Sequence, residues 1–302
     1  MPSLSKEQQE ALSKMESGQI YHGTSFPLEL IMKFLPPNKG KIILDAGCGI
    51  KLDVSEFRQA GYGIAGVDIN EEAIQKTKQG EAMNAFVGDV TKRKMSPIEA
   101  INQFQGMELC DGVLAEGLLC NLIGSQPEEF FKTVDYHLAP DGFLFIADIL
   151  QPTEEQKFIS SILGREKART LVEVWDKRYK INVEMGLDYG TFIVAKPGLN
   201  KKLEWETAGD LQNLLVSEDF ERYSRHSTKE YIRRLSRLVK FKEKFFKPAI
   251  FHSRNGEPLL GCLVVFQKGD RYRYLGRLGR WIGKTRGDRL GDLEKRLRDL
   301  EG

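Results

Sequence analysis

Cysteine is scarce in this chain and never stands at the spacing that holds a metal. Cys48, Cys110, Cys120 and Cys262 include no CxxC pair, and no nearby histidine completes a zinc pattern. Four thiols in 302 residues are too few for a disulfide framework. Each reads as a small apolar filler in or near the core, and no metal is expected. An excess of one charge is lacking too. Lys and Arg total 45 against 43 Asp and Glu, a net charge of +2, which gives no global attraction for nucleic acid. No stretch approaches the roughly 20 apolar residues that span a bilayer. Residues 1–16 (MPSLSKEQQEALSKME) have neither the basic start nor the apolar run of a secretion signal. A cytoplasmic globular protein is expected.

The hydrophobic fraction, 41%, suffices for one large core with room for an insertion. Helical patterns cover residues 4–16 and 26–35, the second stopped by Pro36 and Pro37. Strands and helices then alternate. Strands are expected at 41–46 (KIILDA), 63–68 (GIAGVD), 85–87, 112–115 (GVLA) and 143–149 (FLFIADI), with helices over 53–60, 71–80, 98–104 and 127–138. Such alternation implies parallel strands joined by right-handed crossovers, with helices on both faces. The rhythm breaks over 151–224, read as a helix (153–174), a hairpin (179–185 with 191–195) and a short helix (210–215). It resumes with a helix at 228–239 and strands at 246–252 and 259–267, joined by SRNG, whose Asn-Gly pair is a hairpin signal. The expected architecture is α/β, a doubly wound seven-stranded sheet of five parallel strands plus a terminal antiparallel hairpin, with an inserted cap. The boundaries are an N-terminal helical segment (1–36), a core (37–150 and 225–268), the cap (151–224) and a basic tail (269–302).

Five motifs fall at expected strand ends. In LDAGCG, Gly47 and Gly49 let the backbone turn sharply and approach a ligand, at the edge where open α/β sheets bind ligands. Asp68 follows Asp45 by 23 residues; an acid about 20 residues beyond a glycine turn can accept both hydroxyls of a ribose diol. It can equally start the following helix. Asp89, in VGDV, can accept from an exocyclic amine or serve as an ordinary turn residue, with Ile69 and Val90 as apolar walls. Glu116 and Asn121, in AEGLLCN, follow the fourth strand, and a tight turn in LAPDGFLFI enters the fifth.

The succession LDAGCG, GVDIN, VGDV, a polar turn after strand four and LAPDGFLFI resembles the ordered motifs of class I S-adenosylmethionine-dependent methyltransferases. The resemblance covers about residues 40–150, and the helix and hairpin at 228–267 extend it. It implies S-adenosyl-L-methionine as cofactor, its methionine part on Asp45, Gly47 and Gly49, its ribose on Asp68 and Ile69, and its adenine by Asp89 and Val90. Tyr21 and Glu116 are further cofactor candidates. One departure is Lys51, where the family often has a third glycine. A dinucleotide-binding GxGxxG starting at Gly47 would need glycine where Leu52 stands, which argues against a dehydrogenase.

Methyl transfer needs an aligned nucleophile and exclusion of water, and for some acceptors a base. The insertion leaves the fifth strand at its carboxyl end, so it is expected to close over the substrate. Its aromatics, among them Trp175, Tyr179, Tyr189 and Phe192, line the pocket or form the insertion's own small core. His226 and His252 are placed at the same edge by topology, and His22 adjoins Tyr21; each is a candidate general base or a bystander. Glu116 is a fourth catalytic candidate, able to bind a cationic substrate. The tail is basic from Arg271 to Arg286, and Leu290, Leu293, Leu297 and Leu300 follow a short heptad pattern, suited to docking or a homodimer. The expected activity is O- or N-methylation of a small molecule, of the kind used in secondary metabolism. The alternatives are methylation of RNA or another macromolecule through the tail, and a non-catalytic cofactor-binding scaffold. Nucleic acid is not an expected partner, nor is a membrane span.

Overall fold

The computed structural model describes residues 20–22, 25–37, 40–50, 54–79, 84–93, 109–195, 220–252 and 258–269. The helices expected over 4–16, 98–104 and 210–215, Lys51, and nearly all of the tail lie outside the described residues. The chain divides into two units, Met1–Lys268 and Gly269–Gly302, and the first carries the fold.

Strands Ile20–His22 (β1), Ile42–Ala46 (β2), Gly63–Asp68 (β3), Asn84–Val87 (β4), Cys110–Glu116 (β5), Leu138–Ile149 (β6), Lys242–His252 (β9) and Pro258–Gln267 (β10) form one sheet in the order β1-β9-β10-β6-β5-β2-β3-β4. The five parallel strands and the closing antiparallel strand are those expected. β1 is an addition: three residues expected within a helical segment lie parallel to β9 at the sheet edge. A strand this short carries too little periodicity to be read from sequence. The turn expected in LAPDG is instead a break within β6. Pairing passes from Cys110↔Leu138 to Gly112↔Phe143, and Asp141 takes a positive φ of 62°.

Helices cover both faces. Leu30 and Ile31 of Leu28–Phe34 (α1) pack on Ile43, Leu114, Phe145 and Phe251. The other face carries Gln126–His137 (α4) and Lys229–Leu238 (α7), whose Phe130, Phe131, Val134, Ile232 and Leu235 meet Val113, Ala115, Leu144, Ile146 and Val264. Alternate residues of β5 and β6 thus serve opposite faces, as the two-residue period of a strand dictates. Ser55–Gln59 (α2) and Glu71–Gln79 (α3) link β2, β3 and β4. From β4 the chain returns to the other side of β2 as β5, so strand order reverses between β2 and β5. Open α/β sheets bind ligands at the carboxyl ends flanking such a switch point. Here those ends are Ala46 and Glu116.

The insertion begins with Gln156–Leu163 (α5) and Arg165–Glu184 (α6), then a two-stranded sheet of Thr191–Ala195 (β7) and Phe220–Arg225 (β8). The hairpin expected over 179–185 is not formed, because those residues complete α6. Trp175, Tyr179 and Asn182 are buried at helical spacing, and the partner of β7 is β8. The insertion leaves and returns at one point. Leu150 and Ser227 form a parallel bridge, Gln151 N–H donates to Ser227 O, and Ser227 N–H donates to Ile149 O.

Candidate active site

The glycine turn after β2 is held by its neighbours. Gly47 and Gly49 take positive φ of 69° and 55°, a region that favours glycine. Gly47 N–H donates to Val67 O at 2.7 Å, Gly49 N–H to Asp68 Oδ2 at 2.8 Å, and Thr77 Oγ1 to Gly49 O at 3.1 Å. Asp45 is buried beneath the turn. A Cβ on Gly47 would stand 2.7 Å from the Leu118 side chain, whereas beyond Gly49 there is open space. The turn is closed on one side by the segment after β5 and open on the other.

Asp68 Oδ1 accepts the N–H of Asn70 and Oδ2 that of Gly49. Each carboxylate oxygen can accept two hydrogen bonds, so the group retains capacity for a diol. Beside it Ile69 is 73% exposed, and Ile50 and Val87 are exposed as well, while Val90 is buried. Apolar side chains left open around a glycine turn fit an aromatic base and its ribose. Asp89 is engaged in its own turn. Its Oδ1 accepts Thr91 N–H and the Thr91 hydroxyl, and Oδ2 lies 3.4 Å from Lys92 Nζ. Burial opposes its ionisation, but the Thr91 and Lys92 hydrogen bonds outweigh it and lower its pKa below the usual carboxylate value.

The four catalytic candidates fall in three places. Glu116 ends β5 at the switch point, and its Oε1 accepts Phe26 N–H at 2.6 Å. His22 and His252 are paired neighbours on β1 and β9, as are Tyr21 and Phe251. β9 is four positions from β2 in the sheet order, about 19 Å at ordinary strand spacing. His226 is 3% exposed, packed against Trp175 (ring centroids 4.4 Å) and Phe192 (4.7 Å), with Nδ1 2.5 Å from Tyr179 Oη in a hydrogen bond. Burial, with the nearby Arg178 charge, pushes its pKa down to about 3. Thr228 caps α7 by accepting Tyr231 N–H. Trp175, Tyr179 and Phe192 thus make the insertion's own core around His226, and Tyr189 joins its edge. The fold places Glu116, the glycine turn and Asp68 at the ends of the neighbouring strands β5, β2 and β3, puts His22 and His252 on strands at the other side of the sheet, and encloses His226 among aromatic side chains.

Sequence reading missed Asp148. It lies fully buried near the end of β6, where its carboxyl accepts Ile149 N–H at 2.7 Å and Cys120 N–H at 3.3 Å. Burial pushes its pKa up to about 7, against the opposing effect of the amides of Ile149, Leu119 and Cys120. An acid inside the run FLFIADIL was the available signal, since a buried carboxyl needs partners.

A family model described as a methyltransferase domain matches residues 20–189. No curated protein matches the sequence. Among solved structures, an S-adenosylmethionine-dependent methyltransferase from Methanosarcina mazei is 19% identical, with 81% of this chain and 98% of that chain covered and a TM-score of 0.58. A structure described as conversion of a disulfide bond into a thioacetal group during echinomycin biosynthesis is 14% identical, covering 84% and 85%, with a TM-score of 0.50. The 1,6-didemethyltoxoflavin-N1-methyltransferase of Burkholderia thailandensis, with bound 1,6-didemethyltoxoflavin and S-adenosylhomocysteine, is 14% identical, covering 89% and 93%, at 0.48. With the family model spanning more than half of the chain, and the glycine turn and strand-end acids at the switch point, the chain belongs to the methyltransferase-domain family as a class I enzyme that uses S-adenosylmethionine.

Proposed function

We propose that the protein methylates an oxygen or nitrogen atom of a small molecule, held between the carboxyl edge of the sheet and residues 151–224 acting as a cap. The observation that carries this reading is the insertion's single point of departure and return. Leu150 and Ser227, bridged to each other, sit beside the switch point, so the inserted chain rises from the edge that bears Glu116. A compact acceptor suits such an enclosure, which excludes water from the reacting atoms. The likeness to a structure from echinomycin biosynthesis is a likeness of fold, and it agrees with this sheet serving small-molecule chemistry.

In this reading Asp45, Gly47 and Gly49 seat the methionine part of the cofactor and Asp68 takes the ribose hydroxyls. Ile69 and Val90 flank the adenine, and Asp89 meets its exocyclic amine through Oδ2, the oxygen not shared with Thr91. Glu116 borders the methionine end, whereas Tyr21, on β1 five strand positions from β2, takes no part in seating the cofactor. The cofactor supplies a methyl group on a sulfonium centre, an electrophile that an amine or a phenolate attacks directly. The protein's task is alignment. Glu116, positioned at the end of β5 by the Phe26 N–H on its Oε1, brings a negative charge to a cationic or amine acceptor. His226 serves packing, and His22 and His252 await an acceptor long enough to reach them. A cytoplasmic setting and a homodimer through the cap or the heptad helix belong to the same proposal.

Incubation with methyl-labelled S-adenosylmethionine and a panel of small amines, phenols and hydroxy acids, beside total RNA, tests it. Label is expected in a small molecule; label in RNA alone overturns the reading.

A further inference from the structure

The turn Leu119–Asn121 stands between the insertion and the glycine turn, and it is held partly by its own short segment and partly by distant side chains. Its local hydrogen bonds are Asn121 N–H to Leu118 O at 2.9 Å and Leu122 N–H to Leu119 O at 3.2 Å, with the Cys120 thiol and the Asn121 side-chain amide both donating to Gly117 O, at 3.1 and 2.7 Å. One 3₁₀ turn of this kind is too short to define its own geometry. Two side chains from elsewhere complete it at Cys120. Asp148 accepts Cys120 N–H at 3.3 Å, and Ser224 Oγ donates to Cys120 O at 2.8 Å. Ser224 belongs to β8, 104 residues further along the chain, and it is buried. Leu118, just before the turn, is buried against Gly47, where even a Cβ would meet its Cδ1 at 2.7 Å. A continuous path of hydrogen bonds and packing therefore runs from β8 through Cys120 and Leu118 to the glycine turn.

We propose that Asp148 and Ser224 are positioning residues that lock the Leu119–Asn121 turn from both sides, so that cofactor binding and the ordering of the insertion reinforce each other. The inference rests on the reading that the cofactor lies on the Gly47–Gly49 turn. A cofactor on that turn fixes Leu118, which fixes the Cys120 carbonyl that Ser224 requires. Reciprocity follows from thermodynamics: whatever the insertion adds to cofactor affinity, the cofactor returns as stability of the insertion. The connection is discrete, because the Ser224 hydroxyl either reaches Cys120 O or leaves it unsatisfied. Asp148 acts from the core side, where the carboxyl accepts the Cys120 amide whether or not it carries a proton.

The test is hydrogen exchange of the full chain with and without S-adenosylhomocysteine, beside calorimetry of its binding. In the wild type, ligand is expected to slow amide exchange in β7 and β8 as well as in the glycine turn. Ser224→Ala removes one hydroxyl and is expected to fold. It should weaken the ligand about fivefold, the worth of one neutral hydrogen bond, and abolish the protection of β7 and β8 while keeping that of the glycine turn. Ser224→Thr, which keeps the hydroxyl, should restore both. Asp148→Asn, which keeps an acceptor for the Cys120 amide, should bind nearly as the wild type does. Undiminished protection of β7 and β8 in Ser224→Ala overturns the inference, as does a wild type that binds ligand without protecting those strands. A wild type that binds no ligand overturns the cofactor reading and the inference with it.

Discussion

Gly49 donates its backbone N–H to Asp68 Oδ2 at 2.8 Å, so the glycine turn after β2 and the acid ending β3 form one hydrogen-bonded unit. Asp68→Ala would then do two things: remove the acceptor of the ribose hydroxyls and release the turn. Two charge-assisted hydrogen bonds at about 1.5 kcal/mol or more each predict at least about a 100-fold loss of cofactor affinity. Asp68→Asn keeps one acceptor for Gly49 and should fall between Ala and wild type. Calorimetry with S-adenosylhomocysteine measures it, and an unchanged dissociation constant in Asp68→Ala would remove the residue from the cofactor site.

Two buried groups oppose each other in their effect on stability against pH. The Asp148 carboxyl is raised by burial from 3.8 to about 7, so the folded protein holds that proton more tightly than the unfolded chain. Its contribution is complete below about pH 3.8 and is lost as pH rises through 7. Burial lowers His226 from 6.5 to about 3. The folded protein keeps that ring neutral, a contribution complete above about pH 6.5 and lost as pH falls through 3. Between pH 4 and 6.5 the two trends offset. Urea unfolding across this range should show Asp148→Asn gaining stability with rising pH relative to wild type, and His226→Gln losing it. Two parallel curves would contradict the environments assigned to both groups.

The parts of this fold that local chemistry specifies were legible. Short apolar runs ended by LDAGCG and GVDIN marked β2 and β3, because glycine turns and strand-end acids are read over a few residues. The end of α6 was not. In YKINVE, apolar and polar residues alternate as in a strand, and the helix is specified by what lies against it. Trp175, Tyr179 and Asn182 share one buried face, a 4–3 spacing that extends the pattern from residue 168 onward. The contact of Ser224 with Cys120 joins residues 104 apart, and nothing local announces such a pair. Strand and helix order alone puts His226 near the carboxyl edge, but its burial depends on α6 and β7 closing around it.

Gly190 shows how tightly the base of the insertion is drawn together. It takes φ of 93°, its carbonyl accepts His226 N–H at 2.9 Å, and a Cβ there would stand 2.3 Å from Gln151 Nε2 and 2.9 Å from His226 O. Gly190→Ala therefore meets both backbone strain and a clash with two groups hydrogen-bonded to each other, Gln151 Nε2 donating to His226 O. A loss of about 3 kcal/mol is expected. Gln151→Ala should cost less alone and should partly relieve the clash that Gly190→Ala creates, so the double variant should be more stable than the sum of the two losses. Denaturant unfolding of the four proteins gives the coupling, and strict additivity would refute the contact.

Whether His226 is a base or a packing residue turns on its protonation in the folded protein. A general base near neutral pH must exchange protons with the substrate, so it needs access to the crevice and a pKa near the working pH. His226 has neither. It is enclosed by Trp175, Tyr179 and Phe192, and its pKa is pushed down to about 3. Nitrogen-15 NMR of histidine-labelled protein should show the His226 ring neutral from pH 8 to pH 4.5, with Tyr179→Phe altering the Nδ1 shift by removing its hydrogen-bond partner. His226→Gln should lower the melting temperature and weaken S-adenosylhomocysteine binding by no more than about fivefold, the loss expected for the Ser224 contact. A ring that titrates with a midpoint near 6 would return His226 to the catalytic candidates and would mean that the aromatic enclosure opens in solution.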